Sequence, residues 1–175
     1  MVLKPQDVLV LAKLVVIGGD EWSYGRMATT LWMSASEVHA GVKRLIKARL
    51  ALDQQNRITP NARNMESFLL YGLPYVFVPD LGEITRGMPT GYAGPVLSSY
   101  FETGEDLPPV WPDPDGEVRG QSFSPLYKSV PKAAREDHKL YELLSLIDAI
   151  RGGRARERQM ACDEIKKWMN SNAES

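Results

Sequence analysis

The sequence predicts a mainly α-helical protein that carries one small β-hairpin, followed by a Pro/Gly-rich irregular region and a C-terminal pair of helices. Three observations lead to this prediction. Apolar residues recur at helical spacing in the first third of the chain, and two β-prone runs flank a polar turn at 50–59. Residues 80–131 then hold eight prolines and seven glycines, which favour turns. Apolar residues make up 43% of the chain, a share typical of proteins that fold.

Two helices are predicted before residue 34. The first covers residues 3–17, because Pro5 is tolerated in an opening turn and a Gly-Gly pair follows as a stop. Its almost continuous apolar character is typical of a core helix. The second covers 23–33 and begins at Ser23, whose hydroxyl can accept a hydrogen bond from a first-turn amide.

A third helix is predicted over 34–49. It begins with a capping box, in which the Ser34 side chain accepts from a first-turn amide while Glu37 reaches back to the cap amide. At about 100° per residue, Val38, Val42 and Leu45 share one face, which we expect to be buried. The opposite face is small and polar at its start and basic later. It carries Ser36, Ala40, Lys43 and Lys47, with His39 and Arg44 on its flanks.

Residues 50–59 complete a recognisable order of elements. Two short strands around a polar turn predict a hairpin with Arg57 near its tip, and a helix from Thr59-Pro60 to Tyr71 closes the unit. Helix, helix, turn, helix and hairpin is the order of a winged helix-turn-helix, so we assign 1–72 to such a domain. Small side chains followed by cations suit a helix that enters the major groove of DNA. A solvated basic helix face is the alternative interpretation of those charges.

Three sequence segments resemble a known family. They read S-Y-G-R-M-A at 23–28, L-W-M-S-A-S-E-V-H at 31–39 and V-K-R-L at 42–45. Together with the hairpin, this pattern resembles bacterial winged helix-turn-helix transcriptional regulators, especially the MarR-like group, over about the first 60 residues. The resemblance implies DNA contacts on the third helix and the wing. By this match the contacting residues are Ser34, Ser36, Glu37, His39, Ala40, Lys43, Arg44, Lys47 and Arg57.

The distribution of charge agrees with that expectation. The whole chain carries a net charge of −1, but residues 1–65 hold nine Lys or Arg against five Asp or Glu, a local charge of +4. Residues 66–137 hold five against eleven, a local charge of −6. A phosphate-binding surface needs only local positive charge, so the first third is where DNA is expected to bind.

The rest of the chain is divided into two further parts. Residues 73–137 are predicted to be a Pro/Gly-rich irregular segment, extended or an edge strand at 73–79, that packs on the core or on a partner. Its aromatic residues would line either an effector pocket or a structural core. Residues 138–170 are predicted to form two helices. Because helix-turn-helix proteins commonly read paired half-sites as twofold dimers, we expect these helices to make a homodimer.

The sequence therefore favours a sequence-specific, double-stranded DNA-binding transcriptional regulator. The alternative is a winged-helix protein-interaction module, such as an antitoxin or assembly subunit, that binds a partner protein through 73–131. We expect no enzyme activity, cofactor or metal site, because no grouping of nucleophile and base or of metal ligands is visible. One cysteine and the lack of a membrane-length apolar run lead us to expect a cytoplasmic protein.

Overall fold

Helices account for most of the chain, and the strands form two separate sheets. The structure, a computed structural model, describes residues 1–101, 104 and 106–173. The elements of these residues are α1 (Pro5–Ile17), α2 (Tyr24–Leu31), α3 (Ala35–Lys47), β1 (Ala51–Gln54), β2 (Arg57–Pro60), α4 (Ala62–Tyr71), α5 (Leu73–Val76), β3 (Leu81–Pro89), a 3₁₀ turn (Gly91–Ala93), β4 (Pro109–Pro112), β5 (Val118–Phe123), α6 (Val130–Glu136), α7 (His138–Gly152) and α8 (Ala155–Ala173). This mixed α/β architecture confirms the helices and the hairpin that the sequence predicts.

The first helices begin where local capping residues mark them. The Ser23 hydroxyl accepts from the Arg26 amide and caps α2. At α3 both halves of the predicted capping box are present, with Glu37 N–H donating to Ser34 Oγ and Ser34 N–H donating to Glu37 Oε2. The short α2–α3 connection lies between the left-handed Trp32, which ends α2, and the Ser34 cap that begins α3.

The hairpin β1–β2 is antiparallel, with Leu52 opposite Thr59 and Gln54 opposite Arg57. Its two turn residues, Gln55 and Asn56, have φ values of 55° and 66°. Two consecutive left-handed residues match the twist of the flanking strands, which explains the tight connection. Strand β2 extends through Pro60, so the next helix, α4, begins two residues later than the sequence predicts and is capped by the Asn61 side chain.

The prediction of an irregular segment over 73–137 is wrong in part. Instead of an extended run at 73–79, Leu73 and Pro74 are buried in the short helix α5, because a proline fits the first turn of a helix. Strand β3 pairs antiparallel with both β4 and β5, and β4 pairs parallel with β5. The segment packs on the core, where Trp111 and Phe123 are buried.

Two glycines of the predicted irregular segment lie in strands of this sheet, where close backbone contact leaves no room for a side chain. A Cβ atom at Gly87 would lie 2.1 Å from the Trp111 carbonyl oxygen, and one at Gly120 would lie 2.1 Å from the Pro108 carbonyl oxygen. These glycines allow strands to approach each other. The sequence pattern shows the glycines but not the neighbouring strand.

Helix α7 is the centre of the core. Leu140 and every residue from 143 to 151 are buried, and α7 packs against α1, α5, α6 and α8. Residues 143–151 of α7 are therefore covered by this chain itself and offer no surface for the predicted homodimer. None of the helices in the described part of the chain combines the length and apolar character that a membrane crossing requires.

Candidate functional site

The outer face of α3 is open between two covered flanks. Val38, Val42 and Leu45 are buried, as their spacing predicts. The side of α3 opposite this stripe bears four exposed residues that the sequence selects, namely Ser36, His39, Lys43 and Lys47. Ala40 is half-buried among them. The result is a helix face with small side chains at one end and ammonium groups at the other.

Arg44 has a different role from the predicted DNA contact. Its Nε and Nη2 atoms donate to Asp7 Oδ2 and Oδ1 at 2.7 Å and 2.9 Å, and the Asp7 side chain is fully buried. The hydrogen bonds to Asp7 raise the pKa of Arg44, so the guanidinium stays charged. Asp7 also accepts from the Lys4 amide at the start of α1. Arg44 thus fixes α3 against α1 and does not point into solvent.

Glu37 accepts intramolecular hydrogen bonds at both of its carboxylate oxygens. Its Oε1 accepts from the Tyr127 hydroxyl at 2.7 Å, while its other oxygen accepts from the Ser34 amide. The hydrogen bond from Tyr127, followed by those from Ser34, lowers the pKa of Glu37 to about 2. Ser34 remains the cap, with its hydroxyl 3.1 Å from that of Ser36. Glu37 and Ser34 therefore build the start of α3, and Glu37 anchors Tyr127 to it.

The opposite flank of α3 is aromatic. The imidazole of His39 lies 4.8 Å from the Tyr24 ring, which in turn packs edge-on against Trp22 at 5.1 Å. His39 stays exposed while one side of its ring is held by Tyr24. This contact limits the orientation of a side chain that the sequence places on the outer face.

Arg57 links the hairpin to the first loop. Its Nη2 atom donates to the Gly19 carbonyl at 2.7 Å, and the residue is exposed. The contact holds β2 beside the α1–α2 connection. Of the residues predicted for the site, the structure thus brings Ser36, His39, Lys43 and Lys47 to one open face, with Arg57 on the hairpin and Arg44 and Glu37 engaged elsewhere.

Sequence reasoning missed three residues near the start of α3. Trp32 ends α2, and Lys132 Nζ lies 5.0 Å from the centre of its ring. Trp32 Nε1 donates to Glu136 Oε2 at 3.4 Å. Lys128 follows Tyr127 and is close enough to Glu37 to contribute to its lowered pKa. About 100 residues separate these partners, so local sequence carries no signal of their contact.

A second feature is a cavity of about 660 Å³ between β3 and the α7–α8 junction. Tyr92, Phe101 and Phe123 contribute aromatic walls, and Asp148 also belongs to its lining. Phe123 belongs to the core, whereas Tyr92 and Phe101 are half-buried at the cavity. An effector pocket stays a prediction. Glu83, Asp106, Arg154 and Glu157 give the rim both signs of charge, so the lining selects no single ligand chemistry.

Asp148 is a buried centre of hydrogen bonds. It accepts from Thr90 Oγ1 and Trp111 Nε1 at 2.7 Å each, and from Arg151 Nη1 at 2.7 Å. Burial raises the pKa of Asp148 while Arg151 and the other donors oppose that shift. The carboxylate joins the 3₁₀ region, β4 and α7, a structural role that accounts for all of these donors.

Among the described residues, no group of three His, Cys, Asp or Glu side chains could hold a metal ion. Comparisons with protein-family models, with curated proteins and with solved structures found no match to this chain.

Proposed function

We propose that this chain is a sequence-specific, double-stranded DNA-binding transcriptional regulator of the winged helix-turn-helix type. In this proposal α3 is the recognition helix in the major groove, and the β1–β2 hairpin is the wing on the DNA backbone. The observation that supports it most is the open outer face of α3, with Ser36, His39, Lys43 and Lys47 exposed between two fixed flanks. The resemblance of residues 1–60 to MarR-like regulators stays a prediction.

The chemistry of that face fits duplex DNA. Small side chains at Ser36 and Ala40 let the helix backbone approach base edges, where His39 can donate or accept a hydrogen bond. Lys43 and Lys47 lie further along the helix, where ammonium groups can neutralise phosphates. The Asp7–Arg44 and Glu37–Tyr127 contacts hold α3 in place before DNA arrives, which lowers the entropic cost of binding.

A fluorescence-polarisation titration tests this proposal. The protein is titrated against a random-sequence duplex and against its own upstream region, each at low and near-physiological salt. We expect affinity to fall with salt, and the Lys43→Ala/Lys47→Ala variant to reduce the slope of log K against log salt by about 1.8. The matched control, Lys166→Ala/Lys167→Ala, removes two lysines from α8, which packs against α4 and α7. Unchanged affinity in the first variant would contradict docking through α3.

Recognition of the base sequence by Ser36 and His39 requires a separate measurement. Ser36→Ala and His39→Ala are expected to change the preference between duplexes more than the overall affinity, because they remove groups that face base edges and not phosphates. Competition between the upstream duplex and random DNA measures this preference. An equal loss of affinity for all sequences would assign these residues to the backbone instead.

We also infer a homodimer, because a twofold dimer doubles the recognition of paired half-sites. Since α7 is buried, the contact has to use another surface, and exposed apolar residues offer one along α4, α5 and β3. These residues are Tyr71, Tyr75, Val76, Val78, Leu81 and Ile84, each more than half exposed. Analytical ultracentrifugation of the wild type and of Tyr75→Glu tests this, with loss of the dimer expected in the variant.

The same apolar residues favour a second candidate function. In this alternative the winged helix is a protein-interaction module that binds a partner protein through residues 73–131. Purification from the native host would then recover a stoichiometric partner that the Tyr75→Glu variant loses. A protein that binds no duplex but keeps such a partner would favour this alternative over DNA binding.

A further inference from the structure

We propose that a turn cluster of Trp32, Lys128 and Lys132 forms a second DNA-backbone contact at the start of the recognition helix. This inference rests on the proposed function and extends it to residues outside 1–72. The cluster lies beside the α2–α3 turn, whereas the wing lies beyond the other end of α3. Phosphates flank a helix in the major groove, so contacts at both ends would fix its position.

Two contacts bring the lysines to this place. Helix α6 packs against α2, and Lys132 Nζ lies 5.0 Å from the Trp32 ring. The Tyr127 hydroxyl donates to Glu37 at 2.7 Å, which places the adjacent Lys128 near the first turn of α3. Both lysines are exposed. Distant residues thus add two ammonium groups to the end of α3 that carries no lysine of its own.

Lys128 and Lys132 belong to a part of the chain that is otherwise acidic. Residues 66–137 carry only five Lys or Arg against eleven Asp or Glu, yet two of those five belong to the turn cluster. The nearby carboxylates are held in place by hydrogen bonds, because Glu37 accepts from Tyr127 and Ser34, and Glu136 accepts from Trp32. Both lysines stay exposed beside them. The acidic region therefore presents two exposed ammonium groups beside the start of α3.

The backbone at Trp32 gives an independent argument. Its φ and ψ are 56° and 42°, the left-handed region that a bulky residue rarely adopts, and half of the residue is exposed. Glycine would fit this turn without strain. A strained, exposed tryptophan is difficult to explain by core packing, but its ring face orients Lys132 at the surface.

The test compares Lys128→Ala/Lys132→Ala with the Lys166→Ala/Lys167→Ala control in the same salt titration. We expect the affinity for both duplexes to fall about eightfold per lysine at about 0.1 M salt, and the salt slope to fall by about 1.8. The charge-preserving Lys128→Arg/Lys132→Arg variant should restore most of the loss. Thermal unfolding of each variant checks that the fold is intact.

Trp32→Gly provides a second test. It removes the ring that orients Lys132 and relieves the left-handed strain, so we expect unchanged or higher thermal stability together with weaker DNA binding. Weaker stability with unchanged affinity would assign Trp32 to the fold alone and overturn its place in the cluster.

The outcomes separate this inference from the proposed function. If Lys43→Ala/Lys47→Ala weakens binding while Lys128→Ala/Lys132→Ala leaves affinity and slope unchanged, DNA binding stands and the turn cluster is overturned. If the wild type binds neither duplex, both are overturned.

Discussion

Two regions of this protein each contain a buried carboxylate paired with a guanidinium, but they use the pair differently. In the N-terminal region Asp7 holds Arg44, whose side chain is 11% exposed, and so fixes α3 against α1. In the central region Asp148 holds Arg151, whose side chain is 4% exposed, and also accepts from Thr90 and Trp111. One pair positions a surface helix, and the other joins the β3–β5 sheet to the core.

The difference shows what a buried charge contributes in each setting. Arg44 lies close to solvent, so it retains an alternative partner in water if Asp7 is lost. Arg151 donates to the Phe77 and Ser124 carbonyls as well as to Asp148, and it has little access to water. Because an unpaired buried charge is costly, the central pair should be the more sensitive of the two.

Asp148→Ala is expected to have the largest effect. It leaves Arg151, Trp111 and Thr90 without their shared acceptor, so the free energy of unfolding should fall by about 3–5 kcal/mol. Urea denaturation measures this loss. The double variant Asp148→Leu/Arg151→Met should be less destabilised than Asp148→Ala, because it removes both charges. The reverse order would contradict the role assigned to the pair.

Asp7→Ala should cost less, about 2–3 kcal/mol, because the freed Arg44 can turn towards water. The same denaturation experiment measures it. A loss as large as that of Asp148→Ala would mean that Arg44 stays buried without a partner, and the proposed difference between the two regions would be wrong.

Gly41→Ala tests how closely α3 packs against Asp7 in the N-terminal region. Alanine is favoured over glycine in a helix by about 1 kcal/mol, yet a Cβ at Gly41 would lie 2.9 Å from Asp7 Oδ1. We expect the clash to dominate and to lower the free energy of unfolding by about 1–2 kcal/mol. Gly25→Ala in α2 is the matched control, because its Cβ meets no atom within 4 Å, and it should stabilise.

Tyr127→Phe should have the smallest effect on stability, about 1 kcal/mol or less, because its hydrogen bond to Glu37 is near the surface. It should raise the pKa of Glu37 from about 2 towards its ordinary 4.5. Since the folded state lowers this pKa, the contact stabilises the wild type above about pH 4.5 and that gain is lost as the pH falls towards 2. An NMR titration of the Glu37 carboxyl group checks the shift. An unchanged pKa would show that the Ser34 hydrogen bonds alone account for it.

The two regions also differ in how far their sequence predicts them. The caps at Ser23 and Ser34 and the buried stripe of α3 depend on residues within a few positions of each other, and the structure confirms them. The strands β3–β5 were missed because each short run gains its stability from partners up to about 40 residues away. The same holds in the candidate site, where Arg44 was assigned to DNA although Asp7, 37 residues earlier, binds it.

Local sequence patterns specify the helices of the N-terminal region, the hairpin and one face of α3, because capping and helical periodicity act over one or two turns. That face carries Ser36, His39, Lys43 and Lys47. Three-dimensional packing directs Arg44 to Asp7 and Glu37 to Tyr127, and it buries residues 143–151 of α7. It also brings Lys132 beside Trp32 and Lys128 near Glu37. These outcomes depend on contacts between distant segments, and the energy of such contacts depends on burial that no local pattern specifies.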